Sequence, residues 1–395
     1  MLWLNTILLI IFIPLCFFVV NRFFFLWIYV FKKDKKIPGS EPRKRFAIVI
    51  PAHNEEILIA STIENILTQE YPKSLYEIVV IADNCTDRTY PIAKGYPVKA
   101  HERKDEEHRG KGYAIRWALD QLDEEAFDAV IISDADTQLS PHFLREMDRW
   151  MQAGYRAVQS YHTMMNPHET MFTTFFSITS TMRNLFCFWA KWKCSLSVPL
   201  VGIGMCFDLK LIKNLGWKAF SITEDHEYFA YLAEKEIAVG FCPTAKVFAR
   251  DSGSFGQATT QRLRWYSGKK HAIGAYGLRV LIKGLKNRNI LQIDAGMEII
   301  MPHMAFLLNV NLLGILLLLA LPAGWLSPLW MILWGGVLGM QILYFAFGII
   351  YHKNYIRSLY SVILLPAILL WTFLLDLAAF VGVRKGQWVR SPRRG

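Results

Sequence analysis

The sequence predicts an α/β protein, in which a doubly wound, Rossmann-like domain is flanked by transmembrane helices at both ends. Short runs of Val, Ile and Ala alternate with stretches of helical periodicity between residues 46 and 153. Strands that are apolar at every position are buried on both faces, which is typical of a mostly parallel sheet covered by helices. Long apolar runs lie at both ends of this 395-residue chain, which is 53% hydrophobic and only 19% charged. Soluble domains average about 25% charged residues, so the composition excludes a wholly soluble chain.

Residues 1–31 are predicted to form an N-terminal transmembrane helix. The run from Trp3 to Phe31 is apolar and aromatic, and about 20 such residues suffice to cross the hydrocarbon core. No basic residues precede the run and no small-residue cleavage site follows it, so we expect a signal anchor that is not removed. A basic linker, residues 32–45, carries seven Lys and Arg side chains. The positive-inside rule then predicts that residues 46–298 are a cytosolic domain.

The net charge of +11 is confined to the ends of the chain. Residues 1–45 and 299–395 each carry an excess of six positive charges, whereas residues 46–298 carry one excess negative charge. This distribution is typical of Lys and Arg beside a membrane with anionic headgroups. It argues against nucleic acid as a partner, because a nucleic-acid groove needs its basic side chains on the folded domain.

Within the predicted domain, each apolar run is followed by a helical pattern. The pairs are FAIVIP with 55–69, EIVVIAD with 87–94, PVKAH with 111–122 and DAVIISD with 141–153. Ligands of doubly wound folds bind at the carboxyl ends of the strands. The polar clusters that follow three of these runs should therefore share one edge of the sheet: 53–55, 83–85 and 134–136.

Asp134 and Asp136 form a D-x-D pattern at a strand end. Two carboxylates can hold a divalent cation, because they are hard oxygen ligands and leave its other sites open to phosphate oxygens. By itself the pattern is better explained as a polar turn before the helix that begins near Pro141. His53 has no second ligand at metal-site spacing and is interpreted as structural.

Two later clusters have a structural and a functional interpretation. Glu224 and Asp225 precede a helical pattern, where acids stabilise a helix N-terminus, or else they serve as catalytic carboxylates. In QRLRW, Gln261, Arg264 and Trp265 occupy adjoining faces of about one helical turn. Arg suits anionic oxygens and Trp suits a sugar face, but a basic amphipathic helix would show the same pattern.

Residues 299–383 are predicted to form a C-terminal transmembrane region. No charged residue lies between Glu298 and Lys353, and the segment from Pro322 to Pro328 divides the stretch into spans at about 299–321 and 330–351. For the third apolar run, 359–383, two rules conflict. Its length predicts a crossing, whereas the basic tail of residues 384–395 predicts a cytoplasmic C-terminus and therefore a re-entrant or interfacial segment.

Two further stretches are predicted to be helices at the membrane interface. Aromatic residues and Met recur every three or four positions in 171–193, which also suits a buried core helix. Residues 262–288 contain eight basic side chains and no acidic one, which suits an anionic leaflet or a solvated basic face.

Taken together in this order, the motifs resemble glycosyltransferase family 2, and specifically its membrane-embedded members such as cellulose, chitin and hyaluronan synthases and exopolysaccharide transferases. The matching pieces are PAHNEE at 51–56, Asp83 in IADNCTD, RGKGYA at 109–114, Asp134 and Asp136 in SDAD, TED at 223–225 and QRLRW at 261–265. The resemblance covers residues 46 to about 270 by motif and the flanking spans by layout. The Asn84 and Cys85 that follow Asp83 depart from the D-D-G-S found in many relatives.

The resemblance implies a GT-A-type fold and a metal-dependent, inverting transfer from a nucleotide-diphosphate sugar. The expected donor is a UDP-sugar, the expected cofactor is Mg²⁺ or Mn²⁺, and the expected acceptor is lipid-linked or a growing polysaccharide. The implied roles are nucleotide contacts for Glu55, Asp83 and Lys111, a place beside the diphosphate for Asp134, a metal ligand in Asp136, a general base in Asp225, and diphosphate and acceptor contacts for Gln261, Arg264 and Trp265.

Alternatives remain open at this point. QRLRW favours a processive synthase, but only about four spans are available to line a polymer channel, so transfer of a single sugar to a lipid is a serious alternative. A small transporter or channel with a regulatory nucleotide-binding domain is the other possibility. The spans show no internal repeat and contain few polar residues, which argues against it.

Overall fold

A computed structural model describes residues 2–252, 254–322, 328–352 and 354–382. Its centre is one eight-stranded sheet with the strand order β3-β2-β1-β4-β7-β6-β8-β5. The strands are β1 Phe46–Ala52, β2 Tyr76–Asp83, β3 Lys99–Arg103, β4 Ala129–Ile132, β5 Thr137–Leu139, β6 Ala157–Met164, β7 Met205–Asp208 and β8 Gly240–Ala249.

The first half of the sheet is parallel, as the sequence predicts. β1 pairs in parallel with both β2 and β4, and β2 pairs in parallel with β3. Alternate residues of β1 enter different cores, since Ile48 packs on one face of the sheet and Val49 on the other. Both faces are covered by helices, which explains why these strands are apolar at every position.

The second half is mixed, so the expectation of a mostly parallel sheet holds only for part of it. β7 is antiparallel to both of its neighbours, β4 and β6, and β5 is antiparallel to β8. Because β7 runs against β4, it begins where β4 ends, and Met205 pairs with Ile132. The loop before β7 is thereby brought to the carboxyl edge of the parallel strands.

Helices surround the sheet and extend from both ends of the chain. They are α1 Leu2–Phe31, α2 Ile59–Leu67, α3 Thr89–Lys94, α4 Lys111–Gln121, α5 Phe143–Gln152, α6 Met171–Met182, α7 Ala190–Lys193, α8 Leu209–Leu215, α9 Glu224–Glu234, α10 Phe255–Ala272, α11 Leu278–Asn287, α12 Ile290–Ile300, α13 Met304–Ala320, α14 Leu329–Tyr351, α15 Tyr355–Val362 and α16 Leu365–Val381. A π-helical turn, Arg183–Trp189, joins α6 to α7, and another, Ile273–Gly277, joins α10 to α11.

Two of the described helices, α1 and α14, are long and apolar enough to cross a membrane. Two further pairs would qualify if each pair is one bent span: α12 with α13, bent by 65°, and α15 with α16, bent by 60°. The second bend lies beside Pro366, within the run 359–383. This is the run whose length predicts a crossing and whose basic tail predicts a cytoplasmic C-terminus. The basic tail predicted at 384–395 lies outside the described residues.

The two stretches predicted at the interface differ in their surroundings. Most side chains of α6 are buried, and Phe175 stacks on Phe345 of α14 at 5.4 Å between ring centroids. In contrast, α11 exposes Leu278, Ile282 and Leu285, which lie on one face at spacings of four and three residues. An exposed apolar row beside basic side chains is the pattern of a helix that lies on a membrane surface.

Candidate active site

A cavity of about 1990 Å³ opens at the carboxyl edge of the parallel strands and continues to the apolar helices. It is lined by all nine residues that the sequence singles out: Glu55, Asp83, Lys111, Asp134, Asp136, Asp225, Gln261, Arg264 and Trp265. They come from six separate parts of the chain. Glu55 and Asp225 are 170 positions apart in the chain. They line one cavity because the carboxyl ends of the strands and the start of α9 meet there.

The turns after β1 and β2 are fastened to each other at one end of the cavity. Asn54 and Asn84 both adopt left-handed backbone conformations, with φ of 57° and 49°, which Asn tolerates better than most residues. The His53 Nδ1 donates to the Asp83 carbonyl over 2.7 Å, and the Thr86 amide donates to the Asn54 Oδ1 over 2.7 Å. His53 thus joins the two turns and also lines the cavity.

Asp83 lies at the end of β2 with a buried side chain. The Arg103 Nη1 donates to its Oδ1 over 2.5 Å, and the other arm of Arg103 reaches Asp105 over 2.7 Å. Burial raises the pKa of Asp83, although Arg103 opposes the shift. Arg103 fixes the position of the Asp83 carboxylate. The second oxygen of that carboxylate is therefore also held in a fixed direction.

Lys111 is the first residue of α4 and reaches across the cavity. Its Nζ donates to the Gly202 carbonyl over 2.6 Å and contacts the carboxylates of Asp134 at 2.8 Å and Glu224 at 3.0 Å. Burial alone would lower the pKa of Lys111, but the two carboxylates raise it above its ordinary value. Gly112 allows the first turn of α4 to lie against the Ala219 backbone, because a Cβ at residue 112 would collide with it.

The D-x-D turn is held from its backbone. Thr137 donates its hydroxyl to the Asp134 carbonyl over 2.9 Å, and the Thr62 hydroxyl donates to the Ala135 carbonyl over 2.8 Å. Both bonds fix the backbone of the turn, and the side chains of Asp134 and Asp136 line the cavity, where Asp134 contacts the Lys111 ammonium at 2.8 Å.

Glu224 and Asp225 begin α9 and have opposite electrostatic environments. The Asp225 Oδ1 accepts from the His226 amide at 2.8 Å and lies 3.0 Å from the His226 Nδ1. Burial alone would raise the pKa of Asp225, but His226 and Lys111 bring it below its ordinary value. Burial raises the pKa of Glu224, and the neighbouring charge of Asp225 adds to the shift.

The helix-cap interpretation of this acidic pair accounts for only part of its geometry. Thr223 precedes α9 without donating or accepting a side-chain cap bond, and its hydroxyl is buried with no partner. Both acids lie in the first turn, where the helix dipole favours them. Their side chains nevertheless line the cavity beside Lys111 rather than capping the helix.

The QRLRW segment lies in the middle of α10. Gln261, Arg264 and Trp265 line the cavity, and the Trp265 side chain is 41% exposed. α10 packs against α16, so this segment forms a border between the sheet domain and the apolar helices.

Comparison with known proteins identifies the family. A family model described as glycosyltransferase-like family 2 matches residues 42–268, more than half of the chain. The chain belongs to glycosyltransferase-like family 2. The motifs that suggested this family in the sequence all lie within the matched residues.

Relatives of this family 2 protein differ in function and in length. The probable glycosyltransferase YdaM of Bacillus subtilis is 24% identical over 240 residues, which cover 58% of this chain and 56% of YdaM. The β-monoglucosyldiacylglycerol synthase of a Nostoc species is 32% identical over 146 residues, which cover 35% of this chain and 30% of that enzyme. The chain thus spans just over half of the first relative and under a third of the second.

A solved structure confirms the fold of the family 2 protein. The mannosyltransferase PcManGT of Pyrobaculum calidifontis, solved with GDP-mannose and Mn²⁺, superposes with a TM-score of 0.57 at 18% identity. The superposition covers 90% of this chain and 98% of PcManGT. The sheet domain makes up less than 90% of the chain, so the structural similarity extends into the flanking helices.

The donor set of the family 2 protein suits a divalent cation that is shared with a substrate. The described part of the chain contains no group of three or more His, Cys, Asp and Glu side chains that could enclose a metal ion. Asp134 and Asp136 supply two carboxylates on one turn of the cavity wall. Two hard oxygen ligands fit Mg²⁺ or Mn²⁺, since such ions keep open positions for phosphate oxygens and water.

Sequence reasoning missed two features of the site. Gly202, with φ of 80°, lies where a Cβ would be 3.5 Å from both the Lys111 Nζ and the Asp225 Oδ2. The GIG pattern at 202–204 was its only signal. Arg183, in the π-helical turn, also lines the cavity, and its place among aromatic residues gave no sign of this.

Proposed function

We propose that this family 2 protein is an inverting glycosyltransferase that moves a sugar from a nucleotide-diphosphate sugar to a lipid-linked or polysaccharide acceptor. The observation that carries the proposal is the single cavity that joins the strand-end carboxylates and Lys111 to the QRLRW helix and the apolar helices. A soluble donor enters from the sheet end, and a membrane-held acceptor enters from the other.

The donor binds at the carboxyl ends of β1, β2 and β4. Glu55 and Asp83 contact the nucleotide, and Asp83 is preset for this by its bond to Arg103. Lys111 carries the positive charge nearest the Asp134 carboxylate, so it neutralises diphosphate charge that enters there. Asp134 and Asp136 would hold Mg²⁺ or Mn²⁺, which, when bound, stabilises charge on the departing diphosphate.

Asp225 is the general base. The acceptor hydroxyl oxygen forms a bond to the anomeric carbon while the bond from that carbon to the diphosphate oxygen breaks, and the hydroxyl proton passes to Asp225. Because attack comes from the face opposite the leaving group, the configuration inverts. The lowered pKa of Asp225 keeps it ionised at neutral pH and ready to accept a proton.

The membrane location is supported by the exposed apolar surfaces. Long apolar helices flank the domain, and the apolar row on α11 lies beside basic side chains. Seven basic residues follow α1, which favours a cytoplasmic side for the catalytic domain. The protein would then be a multi-pass protein of the cell membrane. Its catalytic domain would have access to soluble nucleotide sugars.

Two of the three similar proteins named above support the substrate classes. The Nostoc enzyme is named for synthesis of a glucosylated diacylglycerol, and PcManGT was solved with a nucleotide sugar and Mn²⁺. A UDP-sugar is the proposed donor, and a GDP-sugar is the alternative to be screened beside it.

The test is turnover by the purified full-length protein in detergent. We would screen UDP- and GDP-sugars for release of the nucleoside diphosphate, with Mg²⁺ or Mn²⁺ and with or without a lipid extract, and follow radiolabelled sugar into product. Lipid-dependent release together with labelled product of defined size supports the proposal and separates single transfer from polymer synthesis. Binding of nucleotide without turnover of any donor would contradict it and would favour a regulatory nucleotide-binding domain.

A further inference from the structure

The membrane-side half of the cavity carries cations that the proposed donor site does not use. Arg183, Arg262 and Lys269 line this half. Arg183 belongs to the π-helical turn that packs against α1, whereas the other two lie on α10, which packs against α16. All three are therefore positioned by elements that contact the apolar helices.

Arg183 forms no ion pair with any residue that the structure describes. Its Nη2 donates to the His162 Nδ1 over 2.7 Å. Burial lowers the pKa of His162 to about 3, so that ring is a neutral acceptor and does not balance the charge. The Arg183 Nε is buried without a hydrogen-bond partner, and among the described residues no carboxylate oxygen lies within 4.0 Å of the guanidinium.

Arg262 and Lys269 are also incompletely neutralised. Arg262 makes one long contact of 3.5 Å with Asp251, lies 3.5 Å from the centre of the Phe176 ring, and has an unpartnered, buried Nε. Lys269 donates to the Glu298 carbonyl over 3.4 Å. Burial lowers the pKa of Arg183, and the nearby charge of Arg262 lowers it further, although Cys187 and Asp225 oppose the shift. Arg183 and Arg262 therefore repel each other.

The opposite half of the cavity has the opposite charge. There the carboxylates outnumber the cations of Arg109 and Lys111; they belong to Glu55, Asp83, Asp134, Asp136, Glu224 and Asp225. A divalent cation and a diphosphate would compensate each other at that end. The membrane-side half also contains the carboxylates of Asp251, Glu298 and Asp376. None of them lies within 4.0 Å of Arg183 among the described residues, so this buried cation still needs an anion in a medium of low dielectric constant.

We propose that Arg183, Arg262 and Lys269 bind the phosphate of an anionic lipid that serves as the acceptor. This inference rests on the proposed function and names its acceptor class. The lipid chains would leave the cavity along its apolar wall, which includes Phe345, Leu369 and Phe373. A hydroxyl in the same headgroup would face Asp225, lose its proton to that carboxylate and bond to the anomeric carbon as the nucleoside diphosphate leaves.

A phosphate could also come from the donor. The donor diphosphate is the weaker explanation for these cations, because Lys111 and the D-x-D turn already serve that group at the sheet end. Arg183 and α10 lie where the cavity wall becomes apolar, which is where the phosphate of a membrane lipid meets its hydrocarbon chains.

The first arm of the test measures lipid binding by native mass spectrometry of the full-length protein in detergent. The probes are dioleoylphosphatidic acid and dioleoylglycerol, which share their chains and differ in the phosphate. We expect the wild type to retain phosphatidic acid at least tenfold better than dioleoylglycerol. R183Q and K269Q should each reduce that preference by about tenfold, because each removes a charged hydrogen bond. K33Q, an exposed juxtamembrane control, should not change it.

The second arm separates the two sources of phosphate and the two proposals. Binding of UDP and GDP is measured by titration calorimetry without lipid, with thermal unfolding as the check on folding of each variant. R183Q should bind nucleotide as the wild type does. Equal retention of the two lipids, unchanged preference in both variants, or loss of nucleotide affinity in place of lipid affinity would each overturn the lipid-phosphate site. Failure of the wild type to bind any nucleotide would instead refute the proposed function, whatever the lipid result.

Discussion

Replacement of Asp225 by Asn separates the catalytic from the structural interpretation of the acidic pair at the start of α9. In the wild type, the Asp225 Oδ1 interacts with the His226 amide and ring. An amide oxygen can accept both bonds, and Asn suits a helix start about as well as Asp. We therefore expect the free energy of unfolding to change by no more than about 1 kcal/mol, the net contribution of one ordinary hydrogen bond.

The effect on transfer should be much larger. An amide cannot take the proton of the acceptor, and general base catalysis contributes about 10²–10⁴-fold. This range corresponds to about 2.7–5.4 kcal/mol in the activation free energy. Nucleotide affinity should change little, because Asp225 contacts neither the β1 nor the β2 turn. The assay is titration calorimetry and initial transfer rate on one preparation of D225N.

The pH dependence gives a second readout of the same variant. The pKa of Asp225 is lowered below its ordinary value of 3.8, so wild-type transfer should stay constant down to about that pH and fall below it as the base is protonated. Stability follows the same sign: a depressed pKa in the folded state stabilises the fold above the unfolded-state pKa, and this contribution is lost as the pH falls through the folded-state value. D225N should lose both effects.

Near-normal transfer by D225N would refute the assignment of the base. Glu224 would then be the next candidate, since Glu227 already accepts from the Phe220 and Ser221 amides and from the Tyr276 hydroxyl. Loss of folding together with loss of nucleotide binding would instead favour the helix-start role.

Substitutions at Asp136, Gly202 and Phe175 test separate parts of the site. D136A should abolish transfer activity together with its stimulation by Mg²⁺ or Mn²⁺. D120A, a control on the exposed face of α4, should keep both. Unchanged metal stimulation in D136A would contradict the assignment of Asp136 as a metal ligand. G202A should lose more activity than G216A, because both residues have positive φ but only a Cβ at 202 would touch the Lys111 Nζ and the Asp225 Oδ2, at 3.5 Å, where the substrate is proposed to bind. Equal losses of activity at equal thermal stability would show that backbone strain alone matters. F175L should lower the free energy of unfolding by about 1–2 kcal/mol and F175K by several kcal/mol, because Phe175 is buried against Phe345. The measurement is thermal unfolding in detergent. Wild-type stability in F175K would show that this contact is absent in solution.

The parallel half of the sheet could be predicted because its strands obey one rule throughout. Residues such as Ile48 and Val49 are both fully buried although they face opposite sides of the sheet, and only a strand covered on both faces is apolar at every position. β5 and β7 could not be recognised in the same way, since they have three and four residues and contain Gln and Asp. Their places depend on pairing partners that are far away in the chain.

The same difference divides the site. The strand-end carboxylates were predictable, because the carboxyl ends of parallel strands must meet at one edge of the sheet. Gly202 reaches that edge only because β7 runs antiparallel to β4. Arg183 reaches the cavity only because α6 and the π-helical turn pack between the sheet and the apolar helices. Both positions follow from tertiary contacts, which no local pattern encodes.

Arg22 shows why the sheet domain and the apolar helices form one functional unit. It interrupts the apolar run of α1, and its guanidinium contacts both carboxylate oxygens of Glu298 on α12, at 3.1 and 3.4 Å. Glu298 also contacts Lys191, whose side chain is 1% exposed and which lies two residues beyond the π-helical turn that holds Arg183. Breaking a buried ion pair by removing one partner costs about 3–5 kcal/mol, because the other charge stays buried. The position of Arg183 in the cavity therefore depends on α1, and this candidate membrane span also shapes the end of the cavity proposed to receive the acceptor.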